Sequence, residues 1–146
     1  MKLYTSYFAQ IRNFPPNLVG LSTAVFEPKW LNKGKSQNGI IWLGIPPLKP
    51  NESCNGLCDG HCAIKHPQDC KFLQTYYQQL CNINIKNFMK SLYKLEQKIR
   101  IEEHFDEVNF AFLVYETPSN PCSERVMIQR WLKENNIQCE EWRKEV

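Results

Sequence analysis

The chain has 146 residues, of which 42% are hydrophobic, 12% aromatic and 23% charged, and its formal net charge is +3. Such a length suits one domain that buries roughly 70% of the surface exposed by its unfolded chain. A charge of +3 is too small to indicate nonspecific nucleic-acid binding, and no stretch approaches the roughly 18 apolar residues of a membrane span. The first 14 residues lack an apolar run of signal-peptide length and include Arg12, so we expect a cytoplasmic protein with reduced thiols.

The N-terminal half contains short strand patterns separated by prolines. Residues 2–6 (KLYTS) and 18–26 (LVGLSTAVF) are rich in residues that favour sheets and predict two strands. Residues 39–43 (GIIWL) form an apolar run too short for its periodicity to distinguish helix from strand. Prolines then bound residues 46–70, a cysteine-rich segment in which they exclude regular structure.

Beyond Pro67 the apolar residues recur at helical spacing. The pattern predicts a helix with Pro67 in its first turn and apolar residues from 72 to 80, followed by helices over residues 86–100 and 123–135. Residues 108–115 (VNFAFLVY) are nearly continuously apolar, as in a strand buried on both faces. Residues 137–142 (IQCEEW) predict a last strand.

This order of elements predicts a single three-layer α/β domain over residues 1–146, with a mainly parallel, Rossmann-like sheet and the cysteine-rich loop as an insertion. The four tryptophans are available for its core. In such sheets the ligand crevice lies outside the carboxyl ends of the strands. That rule selects residues 6–7, 26–27 and 116–125 as one neighbourhood.

Within this neighbourhood, the junction between the buried strand and the last helix carries the candidate site. A helix N-terminus favours anions, and Arg125 can clamp a phosphate or carboxylate, with Ser6 and Ser123 as further ligand-binding candidates. The same field favours a thiolate, so Cys122 is a candidate nucleophile, and Glu116 a candidate base. We therefore expect binding of an anionic, nucleotide-like ligand or, on weaker grounds, nucleic acid.

Two alternatives stay open for the junction. One is an enzyme that uses Cys122 or Glu116 as a catalytic group in the crevice. The other is an ordinary helix start, in which Arg125 pairs with Glu116 and the cysteine is a small half-buried residue. Elsewhere, Lys29, Trp30, Lys33 and Lys35 form a weak charge-and-stacking signal for nucleic acid, as a lone cluster.

Four cysteines in the central loop, spaced C-x₃-C-x₃-C-x₇-C, are candidate metal ligands: Cys54, Cys58, Cys62 and Cys70. Structural zinc sites use cysteine pairs separated by two to four residues, which includes the three-residue spacing. Iron–sulfur clusters also use tight triplets with a more distant fourth cysteine. Zinc, an iron–sulfur cluster and no metal at all are the three alternatives, and a metal-stabilised loop would also suit an interaction module.

The segment FAFLVYETPSNPCSERVMIQRWLKENNIQCEEW resembles the C-terminal signature of domain-of-unknown-function family 488, and KLYTSYFAQIRNFPPNLVGLSTAVFEPKW is similar to that family's start. In the family, a buried strand ending in Glu leads through a short turn to Cys-His-Arg and a helix with Trp-Leu. The resemblance implies that Glu116, Cys122 and Arg125 correspond to the family's Glu, Cys and Arg, whereas Cys-Ser-Glu-Arg here lacks the His. The resemblance implies a small α/β fold and no established activity. It covers the two ends of the chain and does not extend to the cysteine-rich middle.

Overall fold

The computed structural model describes residues 1–32, 36–58 and 67–144, which form a sheet of mainly parallel strands with packed helices. The strands are β1 (Leu3–Tyr7), β2 (Leu18–Ser22), β3 (Ser36–Gln37), β4 (Ile40–Gly44), β5 (Asn109–Val114) and β6 (Cys139–Glu141). Their order is β3-β4-β2-β5-β1-β6, and β3 and β4 form a short antiparallel pair at the edge of the otherwise parallel sheet. The prediction of a three-layer, mainly parallel α/β fold is confirmed.

The helices match the predicted order, with shifted ends. They are α1 (Lys71–Cys81), α2 (Ile85–Glu103) and α3 (Glu124–Glu134), and a 3₁₀ segment (Phe8–Asn13) follows β1. Pro67 lies in a separate 3₁₀ turn (Pro67–Asp69) rather than in the first turn of α1, so that part of the prediction is wrong. Within the described ranges, no helix combines the length and apolar character needed to cross a bilayer.

The alternation of side chains along the strands divides the core between two faces of the sheet. On the helical face, Phe110 and Phe112 of β5 pack with apolar residues of all three helices. On the opposite face, Ala111 and Leu113 of β5 pack with the 3₁₀ segment and with Leu31. The 3₁₀ segment and the chain around Leu31 therefore serve as the third layer.

Two predictions along this face need correction. The second strand ends at Ser22 instead of residue 26. Directly after it, the Thr23 N–H and hydroxyl both donate to the Leu113 carbonyl of β5. Trp131 is buried in the helical core, as expected for a tryptophan. Trp30, in contrast, is 53% exposed, so the tryptophans are not all core residues.

Candidate functional site at the β5–α3 junction

The turn between β5 and α3 is ordered by its own polar groups. The Asn120 N–H donates to the Thr117 carbonyl at 3.0 Å, and the Asn120 side chain accepts from the Cys122 N–H at 2.9 Å. Ser123 has the extended backbone of an N-cap, and its hydroxyl accepts from the Arg125 N–H. These bonds fix where α3 begins relative to the end of β5.

Arg125 is buried at this junction, with 5% of its surface exposed. Its Nε donates to the Glu141 carboxylate at 2.5 Å, and its Nη2 donates to the Glu116 backbone carbonyl at 2.8 Å. The alternative prediction, that Arg125 pairs with Glu116, is therefore wrong for the carboxylate: the ion pair forms with Glu141. The carboxylate of β6 neutralises the guanidinium, while Glu116 holds it through the backbone.

The Glu141 carboxylate also accepts a hydrogen bond from β1. The Thr5 hydroxyl of β1 donates to Glu141 Oε1 at 2.8 Å, and the Gln129 amide of α3 donates to the Thr5 hydroxyl at 2.6 Å. A chain of hydrogen bonds thus connects β1, β6 and α3 and ends on the Arg125 guanidinium. Such a network fixes the guanidinium in one orientation.

Within the ranges that the structure describes, three buried side-chain atoms have no hydrogen-bond partner: Ser6 Oγ, Glu116 Oε1 and Arg125 Nη1. Leaving a buried polar atom unpaired costs about 1–3 kcal/mol, so such atoms are rare in stable folds. Glu116 and Arg125 are neighbours, because Arg125 Nη2 reaches the Glu116 carbonyl. One site therefore holds an unused acceptor and an unused donor.

Ser6 is not part of that pair. Thr5 of β1 contacts α3, and Tyr4 packs against the opposite core cluster. Because successive strand residues point to opposite faces, Ser6 lies on the face away from α3. The structure therefore places Ser6 on a neighbouring strand, across the sheet from Arg125.

A second carboxyl group, that of Glu124, lies beside Glu116. Burial, followed by the charge of Glu116, raises the pKa of Glu124 from 4.5 to about 7. The charge of Glu116 disfavours a second negative charge beside it, so Glu124 gains or loses its proton near neutral pH.

The backbone donors at the start of α3 are already used. The Glu124 N–H bonds its own carboxylate, the Arg125 N–H donates to the Ser123 hydroxyl, and the Val126 N–H donates to the Ser123 carbonyl. Ser123 thus serves as the helix cap and is itself buried. Of the donors expected to bind an anion here, Arg125 Nη1 is the one without a partner among the described residues. The nearby carboxyl groups of Glu116 and Glu124 add negative charge.

The other predicted neighbours are partly brought together. Cys122 is half-buried and packs against the helical core. The Tyr115 hydroxyl donates to the Phe26 carbonyl, which places the segment at 26–27 next to the end of β5, as predicted. Sequence reasoning did not assign roles to Glu124 or Glu141, although a buried arginine requires a carboxylate and IQCEEW supplies two candidates.

Three of the four predicted metal ligands lie in described parts of the chain. Cys54 is buried near α1, where its thiol lies 4.0 Å from Gln79 Oε1 and burial raises its pKa. Cys58 is exposed and Cys70 is half-buried. Among residues 1–32, 36–58 and 67–144, no three Cys, His, Asp or Glu side chains group as they would around a metal ion. Cys62 lies outside the described residues, so zinc and an iron–sulfur cluster stay predictions and enter no step below.

Comparisons with protein-family models, curated proteins and solved structures found no match. The resemblance to family 488 therefore stays a prediction. The proposed function therefore rests on the fold and on the geometry of the β5–α3 junction.

Proposed function

We propose that the protein binds a small nucleotide-like ligand at the β5–α3 junction. The observation that supports this is that two contacting residues each carry a buried atom without a partner, Arg125 Nη1 as donor and Glu116 Oε1 as acceptor. A ligand that offers one acceptor and one donor satisfies both at once. The site lies outside the carboxyl ends of the parallel strands β1 and β5, where α/β domains place their ligands.

The charges at the junction select which part of the ligand binds there. Glu141 neutralises Arg125, and the Glu116–Glu124 pair adds negative charge, so a phosphate meets little attraction. A base edge or sugar with adjacent carbonyl and hydroxyl or amino groups fits better, because it accepts from the guanidinium and donates to Glu116. The proposal thus retains a nucleotide-like ligand and assigns its neutral, hydrogen-bonding part to this site.

Glu116→Gln tests the proposal with little effect on the fold, because the Glu116 backbone carbonyl still accepts from Arg125. We expect calorimetric titration with a panel of nucleosides and nucleoside monophosphates to identify a ligand for the wild type. Gln keeps an acceptor oxygen but loses the charge, and a hydrogen bond to a charged group is worth about 1–1.5 kcal/mol more than a neutral one, so E116Q should bind the ligand roughly 5-fold to 12-fold more weakly. Glu102→Gln, at an exposed position of α2, is the matched control. Equal affinity in E116Q and the wild type contradicts the proposal, and so does the failure of every compound to bind.

A second candidate function, an enzyme, is favoured by the raised pKa of Glu124 beside Glu116. A carboxyl group with a pKa of about 7 donates or accepts a proton efficiently at neutral pH, which is what general acid–base catalysis requires. Cys122, at the start of the same helix, is the candidate nucleophile of this alternative. Turnover of the bound ligand, followed by mass spectrometry, should fall in Glu124→Gln if the pair catalyses, whereas a pure binding protein leaves the ligand unchanged.

The proposal places the protein in the cytoplasm. Reduced thiols persist there, and the cysteines at 58 and 81 are exposed. The third function considered, an interaction module, depends on the cysteine loop and is tested by metal analysis below.

A further inference from the structure

A second surface, opposite the helices, carries exposed aromatic rings beside cations. Phe26 is 82% exposed and Trp30 is 53% exposed. Trp30, Arg12 and Ala9 line a hollow of about 380 Å³ together with the amide side chains of Gln37 and Asn38. We name this surface, defined by Arg12, Phe26, Lys29 and Trp30, the aromatic–basic surface.

The backbone beneath these rings is fixed. The Leu31 N–H donates to the Pro28 carbonyl at 3.0 Å, which closes a turn with Lys29 and Trp30 at its two central positions. Leu31 is buried in the core on this face, and the Trp42 indole donates to the Asn32 carbonyl at 3.1 Å. The turn is thus attached to the core at its end, while Lys29 and Trp30 face outward. Burying Trp30 would stabilise the fold, so its exposure calls for an explanation.

Phe26 is presented in a similar way. Its backbone carbonyl accepts from the Tyr115 hydroxyl, and the Tyr115 ring packs edge-on against Phe8 of the 3₁₀ segment. The next residue, Glu27, accepts from Lys49 at 2.7 Å and from the Ser22 hydroxyl. These contacts of Tyr115 and Glu27 therefore fix the backbone around Phe26. Lys49 neutralises the Glu27 carboxylate.

We infer that the aromatic–basic surface binds single-stranded nucleic acid, with bases stacked on Trp30 and Phe26 and phosphates bound by Arg12 and Lys29. Stacking on exposed aromatic rings beside cations is how proteins bind single strands without reading their sequence. The charge distribution favours this partner over an apolar protein surface, because residues 28–38 contain three lysines and no acidic residue. Two of those lysines, Lys33 and Lys35, lie outside the described residues.

The amide groups in the hollow support the same occupant. The Gln37 side chain accepts from the Asn32 N–H at 2.9 Å, so its carbonyl is fixed, and Gln37 lines the hollow together with Trp30. Asn38 offers both a donor and an acceptor and is exposed. Amides next to a ring contact base edges and ribose hydroxyls, whereas an apolar partner would leave them unpaired.

The test uses fluorescence anisotropy of a labelled single-stranded oligonucleotide of about 12 nucleotides, as DNA and as RNA, at several salt concentrations. The wild type should bind, and Trp30→Ala should bind about 5-fold to 150-fold more weakly, the range that stacking supplies. Arg12→Gln should reduce the slope of log affinity against log salt by about 0.7, the value for one phosphate contact of a single strand.

Two variants on the opposite face of the sheet are the controls. Tyr93 of α2 is 53% exposed, the same fraction as Trp30, and Lys98 is an exposed cation of the same helix. Tyr93→Ala and Lys98→Gln should bind the oligonucleotide as the wild type does. Absence of wild-type binding at low salt overturns the inference, as does equal binding by Trp30→Ala, or an equal loss in Trp30→Ala and Tyr93→Ala.

Discussion

Replacing Glu124 with Gln removes the carboxyl group whose pKa is raised at the junction, and it should change how stability depends on pH. In the folded protein the pKa of Glu124 is about 7, whereas its ordinary value is 4.5. A raised carboxyl pKa means that the folded state holds the proton more tightly than the unfolded state. The stability linked to this proton is therefore fully present below about pH 4.5 and is lost as pH rises through about 7.

The size of the effect follows from the gap between the two pKa values. That gap corresponds to roughly 3 kcal/mol at 1.36 kcal/mol for each pH unit. Because the raised pKa of Glu124 comes from burial and from the neighbouring charge of Glu116, the loss depends on both residues. Since Gln keeps a hydrogen-bond donor beside Glu116 at every pH, E124Q should lack this loss. We expect E124Q to be about as stable as the wild type near pH 5 and more stable, by up to roughly 3 kcal/mol, near pH 8.

Urea unfolding followed by tryptophan fluorescence, at intervals from about pH 5 to about pH 8, measures both curves. Other titrating groups contribute equally to the two proteins, so the difference between the curves isolates the pair. Glu102→Gln should run parallel to the wild type. If E124Q also runs parallel to the wild type across this range, the pKa of Glu124 is not raised in the folded protein and the catalytic alternative loses its support.

Three further outcomes are expected. Arg125→Met should lose about 3–5 kcal/mol of unfolding free energy, because Glu141 becomes an unpaired buried charge. Adding Glu141→Gln should recover much of this loss. A loss below about 1 kcal/mol in Arg125→Met contradicts a buried ion pair. Iodoacetamide should label Cys58 much faster than Cys54, whose thiol pKa is raised by burial, and equal rates would contradict the assigned burial. Elemental analysis of the purified protein should find about one zinc, or iron with sulfide, that Cys70→Ser removes; absence of metal would exclude both predictions.

The first of these outcomes changes the choice of binding variant. From the sequence, an arginine at a helix start is a ligand clamp whose replacement leaves the fold intact. In the structure the same side chain is buried between β6, the Glu116 carbonyl and α3, so its removal affects stability and binding together. Glu116→Gln separates the two effects better.

The fold was predictable because its elements depend on local patterns. The apolar run that becomes β5 requires burial on both faces, and Ser123 followed by Glu124 predicts the start of α3 to within one residue. The end of β2 at Ser22 was not predictable, because the run LVGLSTAVF continues to Phe26 without a turn residue.

The site at the β5–α3 junction stays a prediction, and the polar contacts found there were not predictable from the sequence. The sequence identifies Glu116 and Arg125, yet the carboxylate that pairs with Arg125 comes from β6, and several acidic residues were equally eligible. Ser6 was selected by its position at a strand end, whereas the alternation along β1 assigns it to the other face. Trp30 was expected in the core because tryptophans usually are, and the turn that exposes it forms only when Leu31 is buried.

The central claim, that the β5–α3 junction binds a small hydrogen-bonding ligand, is tested most directly by nuclear magnetic resonance. Nitrogen-15 spectra should be recorded while nucleosides and nucleotides are added, with the Arg125 Nε–H resonance and the amides of residues 116–126 as reporters. We predict that a ligand shifts these resonances together, and that the same shifts in Glu116→Gln require a higher concentration of the ligand. If a ligand binds but shifts resonances elsewhere, or if none of the compounds moves the Arg125 resonance, the claim is contradicted.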